Sequence, residues 1–271
     1  MHALLFIFPY FFMIGILVGV LSVLFGIGGG LLIVPAVSLF LNLSHYPTSI
    51  AMKVAVATSL ITIFFSTLNV LYKQSKSGYV LWGEIKRILP FIIIGGLSGI
   101  FIAHLASGDM VRWIFIGFLL IIIVRSLMSS NFKAQYTLED YQRPTLISLG
   151  MVGILMGILN NLIGIGGNVL LLPYLRRCKM PMKNASAFTV ATMPVLAIIG
   201  SSGYLVSGFH VAKLPSYSLG YINLPAFILI LLGSFLGATI GNKIEHRISD
   251  TLQAKAYIGL LIVITVLMLL G

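Results

Sequence analysis

The chain has 271 residues and a net charge of +11, with 59% hydrophobic residues, only 8% charged ones and a mean hydropathy of +1.08. A soluble domain carries about 25% charged residues, so the composition excludes a soluble enzyme or a nucleic-acid binder. The cationic excess instead fits a membrane protein whose lysines and arginines gather in cytoplasmic loops.

Taken in chain order, the first apolar run covers residues 3–25. It has no basic leader and no clear small-residue cleavage site, so it reads as a membrane helix rather than a removed signal. A glycine motif follows, Gly26-Ile27-Gly28-Gly29-Gly30, and closes at Pro35. Further runs near the roughly 20 residues needed to cross a bilayer occupy 50–71, 89–106 and 110–124. The longest polar stretch, 129–144, reads as a cytoplasmic linker.

The glycine motif then returns as Gly164-Ile165-Gly166-Gly167-Asn168, closing at Pro173. Over 14–35 against 152–173, 12 of 22 residues are identical. Runs at 185–206, 221–241 and 256–270 complete the chain. The expected fold is therefore an all-α polytopic membrane protein built from two inverted repeats. Each is a glycine-broken helical hairpin followed by three transmembrane helices. The halves are 1–128 and 145–271. Weaker echoes pair Ala57-Thr58 with Ala191-Thr192, and Leu89-Pro90, with Gly99 downstream, with Leu224-Pro225 and Gly237.

Charge chooses between two topologies. If each broken element is a hairpin that returns to its side of origin, 14 lysines and arginines fall on one side and 3 on the other. If each is a single kinked crossing, the division is 9 against 8. The positive-inside rule favours the hairpins, which put both termini outside the cytoplasm. Lys53 and Arg112, on the sparse side, read as snorkelling cations, with attraction of anions at the entrance as the alternative.

Consecutive glycines permit unusual backbone and close approach by a ligand. Irregular backbone at membrane depth is tolerated only where it is buried in protein or lines a wet cavity. The helix that restarts after each break aims free N–H groups and a positive dipole end at the tip, a ready anion site. The candidate substrate-binding backbone is Gly26, Gly28, Gly29, Gly30, Gly164, Gly166, Gly167 and Asn168. Asn160, Asn161, Thr58, Ser59 and Thr192 are the candidate polar lining. Back-bonding to the helix is the alternative for the hydroxyls. Gly15, Gly19, Gly153, Gly157, Gly233, Gly237 and Gly241 read as helix-packing glycines.

All six acidic residues lie in loops or at helix ends, so no mid-membrane carboxylate is available as a cation relay. The five histidines are scattered without metal-ligand spacing, and no nucleophile motif appears. No enzyme, cofactor or metal site is expected. Cys178 is the only cysteine, which excludes an intrachain disulfide, and its thiol reads as inert.

At these motifs the chain resembles the sulfite exporter TauE/SafE family, also called the toluene-sulfonate uptake permease family. The resemblance rests on 18–35 with its Gly-Ile-Gly-Gly-Gly core, on 55–60 with Thr58-Ser59, and on the second copy at 164–173. It implies a prokaryotic inner-membrane permease that moves sulfite, thiosulfate or organosulfonates by alternating access. The second copy departs at Asn168, where the first has Gly30, and at Met193, where the first half has Ser59. Rival readings are a passive anion channel, a non-transporting membrane scaffold, and a cation carrier binding sodium through tip carbonyls. The expected partners are a small anion and the lipid bilayer, with a proton or sodium as coupling ion left open.

Overall fold

The computed structural model describes residues 2–25, 29–128, 136–166, 168–211, 213–245 and 250–270. Ten helices appear there: α1 (His2–Phe25), α2 (Gly30–Leu43), α3 (Thr48–Lys76), α4 (Trp82–Leu105), α5 (Gly108–Met128), α6 (Leu146–Ile163), α7 (Asn168–Arg177), α8 (Met182–Gly208), α9 (Leu224–Glu245) and α10 (Asp250–Leu270). A two-stranded antiparallel hairpin, β1 (Ser218–Leu219) and β2 (Ile222–Asn223), sits between α8 and α9. Among the described residues six helices are long and apolar enough to span a membrane.

Both broken elements double back. At the start of α1, the Tyr10 hydroxyl donates to the Ala36 carbonyl in α2 at 3.0 Å, and Phe11 packs on Phe40 with ring centres 4.8 Å apart. At the start of α6, Ser148 and Tyr174 of α7 share a 2.7 Å hydrogen bond between hydroxyls. The linker closes the same end. Glu84 receives Arg87 on one oxygen and Arg143 on the other, each at 2.6 Å. Arg87 also donates to the Pro144 carbonyl, and the Gln142 N–H to the Cys178 carbonyl. The basic ends of α4, α6 and α7 are thereby tied together.

Glycines decide how helices pack. The α1 helix lies along α9, and α4 along α6, each pair running parallel with backbones in contact. A methyl on Gly237 would overlap the Ile16 carbonyl, and one on Gly95 the Ile154 carbonyl. Gly241 meets Val20 in the same way that Gly99 meets Ile158. Ile16 and Val20 are the repeat positions of Ile154 and Ile158, so the two interfaces match at these positions. In chain order, the first helix packs on the ninth and the sixth on the fourth. The glycines read from sequence as packing sites do pack.

One weaker echo does not hold. The packing register aligns Gly95 with Gly237 and Gly99 with Gly241, a shift of 142 positions. Leu89-Pro90 is therefore not the counterpart of Leu224-Pro225, nor Gly99 of Gly237.

The most buried span is α8, at 61%, followed by α3 and α6 at 50%, against 33% for α4 and α5. The outward faces of α4, α5 and α9 carry exposed apolar residues such as Ile94, Phe101, Trp113, Ile121 and Leu236, as a lipid-facing surface requires. Arg112 secures a helix end. Its Nε donates to the Met268 carbonyl at 2.8 Å and its Nη2 to that of Leu269 at 3.2 Å. A guanidinium there satisfies the end of α10 and complements its negative dipole end.

Cys178 lies just past α7. Burial pushes its thiol up from the usual range, against a smaller lowering by the Tyr174 hydroxyl. Because the thiolate is the nucleophile, labelling by a maleimide at pH 7 is expected to be slow in the folded protein and rapid after denaturation.

Candidate functional site

The second tip is built by a helix end that only glycine accommodates well. Gly164 caps α6 in the left-handed region at φ 68°, its N–H donating to the Asn160 carbonyl at 2.8 Å. Gly166 follows at φ 91°. A side chain at either position would be strained. Asn168 then opens α7. In the first half, Gly29 caps α2 and its carbonyl accepts the N–H groups of Leu32 and Ile33 at 3.1 and 3.0 Å. Gly26, Gly28 and Gly167 lie outside the described residues.

The two tips meet. A methyl on Gly30 would overlap the Gly164 carbonyl oxygen and come within 2.9 Å of the Ile165 carbonyl. Gly164 is flanked by Val34 of α2 and Val56 of α3. The helices that leave the tips have 14 and 10 residues, about 21 and about 15 Å at 1.5 Å per residue. Each is too short by itself to cross a hydrocarbon core of ~30 Å.

Ser59 ties α3 to this junction. Its fully buried hydroxyl donates to the Gly164 carbonyl at 2.9 Å. Ser59→Ala is expected to leave that carbonyl without its donor, at a cost of roughly 1–3 kcal/mol. Thermal unfolding of the purified variant measures the loss, and Ser59→Thr, which keeps a hydroxyl, is expected to recover part of it.

The other polar candidates are buried but differ in what they touch. Asn161 lies between α4 and α8, where Gly96 and Gly200 leave room for it, and its Nδ2 donates to the Gly96 carbonyl at 3.0 Å. Asn160 Nδ2 donates to Asn161 Oδ1 at 2.9 Å, while Asn160 Oδ1 is buried without a partner among the described residues. Thr58 turns its Oγ1 to another element, accepting the Asn223 N–H at 3.1 Å. Thr192 bonds back to the Thr189 carbonyl at 2.8 Å. Among the described residues no group of histidine, cysteine, aspartate and glutamate is placed to hold a metal.

Two participants escaped the sequence reading. Asn223 ends β2, caps α9 by accepting the Ala226 N–H at 3.0 Å, and reaches Thr58 in the middle of α3. An asparagine three residues before a helical N–H is an N-cap signal, and 223–226 carries it. Tyr204 of α8 is buried and directs its hydroxyl to the Leu162 carbonyl at 3.4 Å. Nothing in the flanking 201–203 and 205–207 marks it.

With this geometry in hand, comparison with known proteins gives a consistent answer. The profile of the family described as sulfite exporter TauE/SafE matches residues 11–268. A probable membrane transporter protein of Haemophilus influenzae is 31% identical over 95% of this chain and 96% of its own. A probable membrane transporter protein of Methanocaldococcus jannaschii is 26% identical, covering 90% and 89% of the two chains. One of Bacillus subtilis is 25% identical, covering 94% and 93%. No solved structure gives a significant match. The chain belongs to the TauE/SafE family of membrane transporters.

Proposed function

We propose that this TauE/SafE member is a permease for small sulfur-containing anions such as sulfite, thiosulfate or organosulfonates, working by alternating access across a prokaryotic cytoplasmic membrane. The observation that carries the reading is the meeting of the two glycine tips, Gly30 against Gly164, at the junction of two short helices. Both helix N-termini open there, and each favours negative charge. The backbone at 26–30 and 164–168 holds the oxyanion, and Asn160 and Thr192 support it through their bonds to Asn161 and to the Thr189 carbonyl. Ser59 and Asn161 act as supports in the same way, through their bonds to the Gly164 and Gly96 carbonyls. Thr58 supports the site from the α9 side through Asn223.

The two halves, 1–128 and 145–271, are inverted repeats joined by the linker 129–144. The support is the exchanged packing of α1 on α9 and α6 on α4. Such repeats rock around a fixed central site in secondary transporters. The basic end, with Arg87, Arg143, Arg176 and Arg177, faces the cytoplasm, which leaves both termini outside.

The test is uptake of radiolabelled sulfite into liposomes carrying the purified protein, in competition with thiosulfate, a sulfonate, sulfate and acetate. Saturable flux suppressed by a sulfur anion supports the permease. Conduction far faster than carrier turnover supports a channel instead. Absence of flux under imposed proton and sodium gradients removes the sulfur-anion assignment.

A further inference from the structure

We propose that the C-terminal turn of α6 holds a sodium ion, with Asn160 Oδ1 as one of its ligands. The inference rests on the permease reading, because it names the ion that accompanies the anion.

Hydrogen-bond polarity carries the argument. The Gly96 carbonyl can only accept, so Asn161 must present its Nδ2 there, at 3.0 Å. That leaves Asn161 Oδ1 to accept, and Asn160 Nδ2 supplies the hydrogen at 2.9 Å. The orientation of both amides is thereby fixed by a backbone group. The atom left over is Asn160 Oδ1, an acceptor, on a residue only 3% exposed and without a hydrogen-bond partner among the described residues. A buried polar atom in that condition is costly unless a ligand completes it.

Its place selects a cation. A helix C-terminus carries the negative end of the dipole and leaves its last carbonyls without intrahelical partners. Here the carbonyls of Asn160, Leu162 and Gly164 are taken by the Gly164 N–H and the hydroxyls of Tyr204 and Ser59. What Asn160 adds is a neutral oxygen that no donor among the described residues has taken, the ligand type of hard cations. An oxyanion would meet that oxygen as repulsion. A proton finds no titratable group in an amide, so the ion that fits is sodium. In the same break α7 begins with the opposite dipole end. Broken transporter helices commonly place the coupling cation at the C-terminal end of one arm and the anion at the N-terminal start of the next.

The experiment uses the full chain in detergent without any transported anion. Its melting temperature is followed in sodium chloride, potassium chloride and N-methylglucamine chloride at equal ionic strength. The expected result is a saturable rise in sodium alone. Asn160→Ala is expected to lose that rise. Asn160→Asp, which puts a charged oxygen at the same place, is expected to lower the half-saturating sodium concentration by about tenfold or more. A purely structural asparagine would shift stability equally in all three salts. Identical wild-type melting in the three salts overturns the proposal whether or not the variants fold, and so does a sodium rise that persists in Asn160→Ala. Sulfite titrated at fixed sodium separates the two readings. Protection by sulfite with no sodium specificity overturns the sodium site and leaves the permease standing. A sodium-specific rise lost in Asn160→Ala, with no sulfite protection, supports the site and counts against the sulfur-anion assignment.

Discussion

Gly30→Val is expected to reduce sulfite flux to background while the protein still inserts in the membrane. The first atom added to Gly30 falls on the Gly164 carbonyl oxygen, with the Ile165 carbonyl 2.9 Å away. Neither obstacle is a flexible side-chain end, so the tips themselves must separate. Overpacking of this kind costs roughly 1–3 kcal/mol, which a helical bundle of this size survives, but it displaces the backbone argued to hold the anion. Gly166→Val acts on the same junction by another route. At φ 91° a β-branched residue pays about 1–3 kcal/mol in backbone strain or rebuilds the turn. Flux in liposomes, normalised to inserted protein, is the measurement. Wild-type flux in both variants would sink the tip assignment.

The tips were legible in the sequence because duplication prints a local motif twice, and because consecutive glycines have few structural uses within an apolar chain. The packing glycines were legible for a related reason: their spacing of four on α1, α6 and α9 marks one face of a helix. Register between the halves was harder, and the structure shows why. The tip motifs are 138 positions apart, but α7 is four residues shorter than α2. The starts of α3 and α8, at Thr48 and Met182, are accordingly 134 apart. The segment 209–223 with its β-hairpin then lengthens the second half, and the starts of α4 and α9 are 142 apart. A chance Leu-Pro pair near a helix start misleads under such drift. The hydroxyls show a second limit. Their residue types announced polar positions inside the membrane, but not whether each would bond to its own helix, as Thr192 does, or reach another element, as Ser59 does.

Gly19→Ala and Gly157→Ala are expected to destabilise the protein strongly and by similar amounts, while Gly117→Ala is expected to be neutral or stabilising. The two interface glycines occupy equivalent places. A methyl on Gly19 would lie 2.7 Å from the Ala238 backbone nitrogen and overlap the Ser234 carbonyl; one on Gly157 would lie 2.5 Å from the Gly96 nitrogen and 2.8 Å from the Ile92 carbonyl oxygen. Relief requires α1 to move off α9, or α6 off α4. Each move breaks a whole close-packed interface of the kind that small residues make in membranes, so the cost is expected at or above the upper end of the roughly 1–3 kcal/mol for overpacking. Gly117, inside α5, has open space where its Cβ would be. There alanine gains up to about 1 kcal/mol of helix propensity. The contrast separates packing from propensity, and melting temperatures of the three purified variants measure it. The match between Gly19 and Gly157 carries the larger consequence. If one half rocks against the other by exchanging equivalent contacts, the two interfaces must be close in energy, or the carrier would rest in one orientation. Similar losses at the two sites support that balance. A large loss at one with almost none at the other would mean that the interfaces are alike in geometry but not in strength, and would count against alternation around a two-fold related pair of tips.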